Sequence, residues 1–360
     1  MTQFICTTRV LAGLPAAQAL RQMLPKRVLV VTDPYFQKNG MAEKIAAGSG
    51  AEKWEVFDRV TPDPTAVLAA EGTIVLKKFQ PDVVVALGGG SAMDCAKAML
   101  YFSGCNARLV AIPTTSGSGS EVTDFAILTH DGVKHPLVDS SLRPWAAILD
   151  EEVLGQLPPG LIADGGFDVL SHALEALVAT GASPITDALA RDAFCAAFSA
   201  LPASFSGDKS VRPRIHMAAT MAGMAFTQAG LGVCHALSHA LGGLYHLPHG
   251  RLNAILLPAV IRCNSAGSGG KYAQLARSAG LGGGAEIIAL RNLKNALIRL
   301  RRQLEMPRNL AEAGVSPRQL QQDMEKIVAA ALADPCCKTN PVPVTEEMLL
   351  DILQEVAGFE

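Results

Sequence analysis

The segment PDVVVALGGGSAMDCAKAMLYF, residues 81–102, joins a run of valines to a helical pattern through three glycines. Val/Ile/Leu runs without alternation mark strands covered on both faces. The segment therefore reads as a buried strand, a tight turn and a helix. The same texture continues outward on both sides. RVLVVTD (27–33) reads as a buried strand followed by a helix, and WEVFDRV (54–60) as a strand closing at TPDPT (61–65). A helix is expected over 65–79, and ARLVAIPTT (107–115) reads as a further strand. Strands alternating with helices imply a parallel α/β sheet. After LRPWAAILD (142–150) strand-like runs become scarce, and Ala, Leu and Met dominate at helical spacing. Two domains are expected: an α/β domain over 1–150 and an all-helical domain over 151–360. GSGGKYAQLARSAGLGGGAE (267–286) is read as glycine loops flanking a short helix.

Charge and composition narrow the class. The 360 residues are 49% hydrophobic and 18% charged, with a net charge of −2. That balance offers no basic excess for nucleic acid or an anionic membrane. No run reaches the roughly 18 uninterrupted apolar residues of a membrane span. The start, MTQFICTTRVLAGLP, lacks the pattern of a signal peptide. The eight cysteines are scattered without a C-x-x-C pair, which suits reduced thiols and a cytoplasmic protein. A mean hydropathy of +0.25 fits self-association, and a homodimer is expected.

Two loops invite an anion. In the GGGS turn, small residues leave room for a phosphate at the start of the following helix. The spacing is not G-x-G-x-x-G, and taken alone the turn is as readily a plain tight turn. IPTTSGSGSEVTD (112–124) follows the next strand and is dense in hydroxyls and glycines. Two such loops at the carboxyl ends of parallel strands lie where open α/β sheets bind ligands. Asp33 ends the first strand of the alternating series. It can accept ribose hydroxyls and repel a 2′-phosphate, favouring NAD, or it can simply cap the segment that begins at Pro34.

Four of the eight histidines fall in LGVCHALSHALGGLYHLPHG (231–250): His235, His239, His246 and His249. His235 and His239 are four apart and share a helical face. GGFDVLSHALEAL (165–177) carries a second such pair, Asp168 and His172. A lone histidine on an apolar helix is usually a satisfied core residue. Two inward polar pairs need partners, and a carboxylate with several imidazoles suits a divalent metal held between helices. Spacing leaves the last ligand open between His246 and His249.

Together, VVTD (30–33), the GGGSAMDCAK loop, IPTTSGSGSE (112–121), D-V-L-S-H (168–172) and H-x3-H…PHG resemble the iron-containing (group III) alcohol dehydrogenase family across nearly the whole chain. MAGMAFTQAGLGVCHALSHALGG (221–243) and NPVPVTEEMLLDIL (340–353) resemble the propanol and ethanol dehydrogenases of propanediol and ethanolamine utilisation. The resemblance implies a Rossmann-like N-terminal domain and a helical C-terminal domain with a cleft between them, the dehydroquinate synthase-like fold. It assigns a metal to Asp168, His172, His235 and His249. It decides against His246, and it places His239 close to the metal without ligating it. It assigns NAD contacts to Asp33, Gly89, Gly90, Ser91, Asp94, Thr114, Thr115, Ser118 and Lys134. Fe²⁺ follows from the resemblance, although Zn²⁺ suits the same ligands. Asp63 stands where many relatives have Asn.

The implied chemistry interconverts a short primary alcohol and its aldehyde, with the metal as Lewis acid and NAD carrying hydride. His239 is the candidate proton relay, with a plain hydrogen-bonding role as the alternative. Phe125 and Phe226 are candidates for the walls of the substrate pocket. Small-molecule substrates and a cytoplasmic site, with microcompartment association, complete the expectation. A polyol or polyol-phosphate dehydrogenase and a dehydroquinate-synthase-like lyase are same-fold rivals. They need Lys or Arg around the metal, where Arg251 is the main nearby cation. A metal hydrolase or a binding scaffold would not need the nicotinamide loops.

Overall fold

The computed structural model describes residues 3–130, 133–155 and 157–358. The chain divides into two compact units, one spanning Ile5–Leu157 and the other beginning at Pro158.

Among the described residues the first unit holds eight strands: β1 (Arg9–Ala12), β2 (Arg27–Val31), β3 (Lys53–Phe57), β4 (Val83–Gly88), β5 (Arg108–Pro113), β6 (Phe125–His130), β7 (Val133–Val138) and β8 (Ala146–Leu149). Its helices are α1 (Ala16–Arg21), α2 (Pro34–Lys38), α3 (Met41–Gly48), α4 (Ala66–Phe79) and α5 (Gly90–Ser103). Six strands form one parallel sheet in the order β1-β8-β5-β4-β2-β3. Side chains of a strand alternate between faces, and both faces are buried here. Val28, Val30, Val83, Val85 and Leu87 pack into one apolar cluster, and Leu29, Val31, Val84 and Ala86 into another. This is why the valine runs show no polar alternation.

From β2 the chain goes outward to β3. It then crosses back to β4 and continues the other way to β5. The ends of β2 and β4 therefore flank the point where strand order reverses, the place such sheets bind ligands.

Four strands escaped the sequence reading: β1, β6, β7 and β8. β1 is a four-residue edge strand paired to β8. β6 and β7 form a separate antiparallel hairpin outside the main sheet, so their residues lack the two-sided burial that made the others legible. The first unit also extends past residue 150. The turn at Glu151–Leu154 buries Val153 and Leu154 in its core, which moves the boundary from the expected 150 to Leu157.

The second unit is helical: α6 (Pro159–Val178), α7 (Pro184–Phe205), α8 (Arg212–Ala229), α9 (Val233–Tyr245), α10 (His249–Ser278), α11 (Glu286–Gln303), α12 (Pro317–Ala333) and α13 (Glu346–Ala357). The expected loop at 267–270 is not one, because α10 runs unbroken through these glycines for 30 residues. They serve close packing instead of a turn. A Cβ on Gly269 would lie 2.3 Å from a carboxylate oxygen of Glu286. The second glycine cluster is a loop, with left-handed Gly282 and Gly283. Among the described residues no single helix is long and apolar enough to cross a membrane.

Lys97 is the tie between α5 and the segment that follows β5. Its ammonium donates to the Ser120 and Thr123 hydroxyls and to the Phe125 carbonyl at 2.8–3.0 Å. Burial, opposed by the nearby Asp94 carboxylate, lowers its pKa to about 8. Between that value and the ordinary 10.5 the unfolded chain holds a proton that the native one lacks, so stability rises with pH through this window. Below pH 8 the cost of burying the charge is present in full. Lys97→Met is expected to lose this rise. Thermal unfolding of both proteins between pH 8 and 10.5 checks it, and parallel curves would refute it.

Candidate metal centre and cofactor loops

Three helices bring the candidate ligands together. Asp168 and His172 lie one turn apart on α6, with His172 Nε2 4.0 Å from Asp168 Oδ1. His235 sits in the first turn of α9 and His249 is the first residue of α10. The ring of His172 stacks on those of His235 and Phe226, with centroids 4.6 and 4.4 Å apart. The rings of His235 and His249 lie 5.1 Å apart. Donor atoms of Asp168, His235 and His249 all fall within 4.8 Å of one another. His246 is not brought into this group. It ends α9 in a left-handed conformation, φ +54°, and is exposed.

Burial and charge act in opposite directions on the two best-defined groups of the cluster. Burial and the neighbouring His172 and His249 push the pKa of His235 well below its usual value. Burial would raise Asp168, but His172 and His249 outweigh it and hold the carboxyl below the usual range. Asp168 Oδ1 accepts from His249 Nδ1 at 2.8 Å and from the Asn253 amide at 3.0 Å. The Nε2 atoms of His235 and His249 are buried with no hydrogen-bond partner. Native proteins rarely leave such atoms unsatisfied. Two unpartnered imidazole nitrogens beside an ionised carboxylate fit a divalent cation of the Fe²⁺ or Zn²⁺ type.

Sequence reasoning missed the residues that aim these ligands. Glu175, fully buried on α6, accepts from His235 Nδ1 at 2.6 Å. That bond fixes the tautomer and turns Nε2 away as a lone pair, the usual outer-shell arrangement of a metal-binding histidine. Glu175 also accepts the amides of Gly232 and Cys234 at 2.9 and 2.7 Å, at the start of α9. Burial pushes its pKa up to about 7 against those bonds. A signal was available, because Glu175 follows Asp168 by seven residues and so shares its helical face. Asn253, buried on α10, donates to Asp168 and accepts from the Ser238 hydroxyl. Asp334 accepts from His239 Nδ1 at 2.8 Å from 95 residues away, and no local pattern announces it. The His239 ring lies 5.2 Å from that of His249.

The approach of α10 to α6 depends on Gly250. A Cβ there would stand 1.8 Å from the Asp164 carbonyl oxygen. Arg251, the one cation noted near these segments, is committed to Asp164 through two bonds of 3.2 and 3.0 Å.

The cofactor candidates cluster in the α/β unit. Gly89 starts α5, and no side chain caps that helix. The two loops face each other: a Cβ on Gly89 would lie 3.1 Å from Thr115 Oγ1, and one on Gly90 3.5 Å from Ser118. The Thr114 amide donates to the Gly88 carbonyl at 3.0 Å. Ser91 lies in the first turn of α5. Asp33 caps α2 by accepting from Tyr35 and Phe36 amides, and its other oxygen lies beside Gly88. Asp94 is turned to the protein. It accepts from Ser120 Oγ at 3.2 Å, and burial raises its pKa to about 6 against the pull of Lys97. Lys134, on β7, forms a 2.7 Å ion pair with Asp63, whose backbone is left-handed at φ +52°. Of the two pocket candidates, Phe226 is buried against His172, while Phe125 opens β6 in the α/β unit, its ring 5.8 Å from Lys97 Nζ.

Comparison with known proteins finds likenesses over nearly the whole chain. The family model for iron-containing alcohol dehydrogenase matches residues 7–151, and that for the C-terminal part of the Fe-containing alcohol dehydrogenase family matches 162–357. The 1-propanol dehydrogenase of Salmonella typhimurium is 38% identical, over 99% of this chain and 100% of the relative. The iron-containing alcohol dehydrogenase of Thermococcus thioreducens superposes with a TM-score of 0.92 at 31% identity, over 99% of this chain and 100% of that one. Sulfoacetaldehyde reductase from Bifidobacterium kashiwanohense, solved in complex with NAD+, gives 0.90 at 26% identity, over 100% of both chains.

Two substitutions test the geometry. Glu175→Gln is expected to weaken metal binding by about 10- to 100-fold, the usual size for losing an outer-shell partner, as read by chelator competition. Unchanged affinity would rule out its orienting role. Gly250→Ala meets backbone and cannot relax by side-chain rotation. It is expected to cost about 1–3 kcal/mol of stability and to lower metal content, measured by chemical unfolding and elemental analysis.

Proposed function

The chain belongs to the iron-containing alcohol dehydrogenase family, whose members interconvert alcohols and aldehydes, and on that premise we propose that its substrate is a short-chain primary alcohol such as 1-propanol, with NAD(H) as partner. The observation that carries this reading is the pair of buried, unpartnered Nε2 atoms of His235 and His249 beside Asp168. Asp168, His172, His235 and His249 hold the metal, with Glu175 and Asn253 orienting them. When bound, the metal supplies a Lewis acid for the substrate oxygen and the nicotinamide carries the hydride.

The chain's own groups do the rest. The open N-terminus of α5 and the hydroxyls of Thr114, Thr115 and Ser118 take the pyrophosphate and ribose. Asp33 presents a carboxylate beside Gly88, where it accepts ribose hydroxyls and repels a 2′-phosphate, so NAD is favoured over NADP. His239 keeps its Nδ1–H on Asp334 and offers Nε2 to move the alcohol proton. Phe226 supplies apolar surface next to His172.

Small uncharged alcohols and aldehydes suit this site better than a polyol phosphate or dehydroquinate-like acid. Arg251, the cation those substrates would need, is already bonded to Asp164. A homodimer fits the apolar composition. A cytoplasmic location with microcompartment association follows from the likeness to propanediol- and ethanolamine-utilisation enzymes.

The direct test is anaerobic NADH oxidation with propionaldehyde, after stripping the protein and reloading it with Fe²⁺ or Zn²⁺. Metal-dependent turnover that disappears in His249→Ala is expected. Absence of turnover with either metal across C2 to C4 aldehydes would overturn the substrate reading.

A further inference from the structure

A second group of metal-competent donors lies outside the four candidate ligands. His239 on α9, Asp334 just after α12, and Cys336 two residues later all place donor atoms within 4.8 Å of one another. All three are half-buried. Asp334 Oδ2 accepts from His239 Nδ1 at 2.8 Å. Its Oδ1 accepts the Cys336 amide at 2.8 Å, which folds the thiol back toward the carboxylate. The thiol is carried by the 3-10 turn Pro335–Thr339, whose start is capped by the Asp334 side chain.

We propose that His239, Asp334 and Cys336 form a second cation site, selective for soft or borderline divalent ions such as Zn²⁺ and Cd²⁺, beside the centre formed by Asp168, His172, His235 and His249. The donor set is one nitrogen, one oxygen and one sulfur. Thiolate and imidazole together favour Zn²⁺ and heavier soft ions over Mg²⁺ or Ca²⁺. Bonds of about 2.0–2.3 Å to such an ion replace the His239–Asp334 hydrogen bond, so small side-chain rotations open that contact, draw in the thiol and leave water to complete the shell. Binding expels the thiol proton to solvent and leaves a thiolate–metal bond. The imidazole proton now shared with Asp334 passes to the other ring nitrogen, so no redox change is involved.

The site goes beyond the proposed dehydrogenase reading and has a consequence for it. An ion here takes His239 out of service as proton carrier, because metal displaces the Nδ1 bond to Asp334 and leaves the other ring nitrogen protonated. Excess soft metal then inhibits while the first metal stays in place.

The test uses the full chain carrying one tightly held Zn²⁺, titrated with Cd²⁺. The readouts are total metal per chain and the thiolate-to-cadmium charge-transfer absorption. The expected result is one added Cd²⁺ per chain with one such band, both lost in Cys336→Ser and retained in Cys337→Ser. Asp334→Asn leaves both thiols in place and is expected to weaken Cd²⁺ at least about tenfold, since even an outer-shell loss costs about 10- to 100-fold. If Cd²⁺ only replaces the first Zn²⁺, so that metal stays at one per chain, the proposal fails. It fails equally if the band survives Cys336→Ser. Neither readout needs turnover, so the result stands apart from whether propionaldehyde is the substrate.

Discussion

The buried carboxylate of Glu175 is the constraint on which the helical unit's site rests. A charge with no water around it is costly unless hydrogen bonds replace the solvent. Here the replacement comes from the first amides of α9, which have no partner within their own helix. The same helix carries His235, whose Nδ1 completes the set. One interaction thus stabilises the end of α9, fixes its direction against α6 and orients an imidazole. Charge also matters here. Asp168 stays ionised beside His235, whose imidazole burial keeps neutral, a pairing that suits a cation.

The third helix enters by a different device. α10 approaches α6 backbone to backbone, a contact that a single Cβ at 250 would prevent. From that close start, His249 reaches Asp168 at once and Asn253 reaches it one turn later. Asn253 also ties back to Ser238 on α9. The three helices are therefore cross-linked through Asn253 and the polar atoms of the candidate metal ligands. Loss of any one of these atoms disturbs the others, because a buried network is stable only when fully satisfied.

The parts of this arrangement that the sequence made legible were those with a local period. The valine runs of β2, β4 and β5 announced a sheet buried on both faces. The i,i+4 pairs Asp168/His172 and His235/His239 announced inward polar faces on apolar helices. Glu175 had the right period but was passed over, because an acidic residue in an alternating apolar run reads equally as solvent-facing. Asp334 and Asn253 act through approaches set by tertiary packing, and no spacing encodes them. The β6–β7 hairpin was missed because it stands outside the main sheet and shows mixed burial. The glycines at 267–270 misled because a helix tolerates them when another chain segment fills the space a side chain would occupy.

The two units divide the electrostatic work. Donors suited to an anion lie in the α/β unit: an uncapped helix start, facing hydroxyl-rich loops, and glycines that leave no side chain in the way. The helical unit presents the opposite character, with carboxylates and neutral imidazoles arranged for a cation. Its nearby guanidinium, Arg251, is neutralised by Asp164, and Lys134 in the α/β unit is likewise paired with Asp63. A substrate that recruited Arg251 through its own negative charge would have to break that pair and leave the largely buried Asp164 carboxylate without its cation, a cost that desolvation makes steep. A small neutral alcohol or aldehyde asks for no such exchange. The commitment of Arg251 to Asp164 thus favours an uncharged substrate at the helical unit's candidate site.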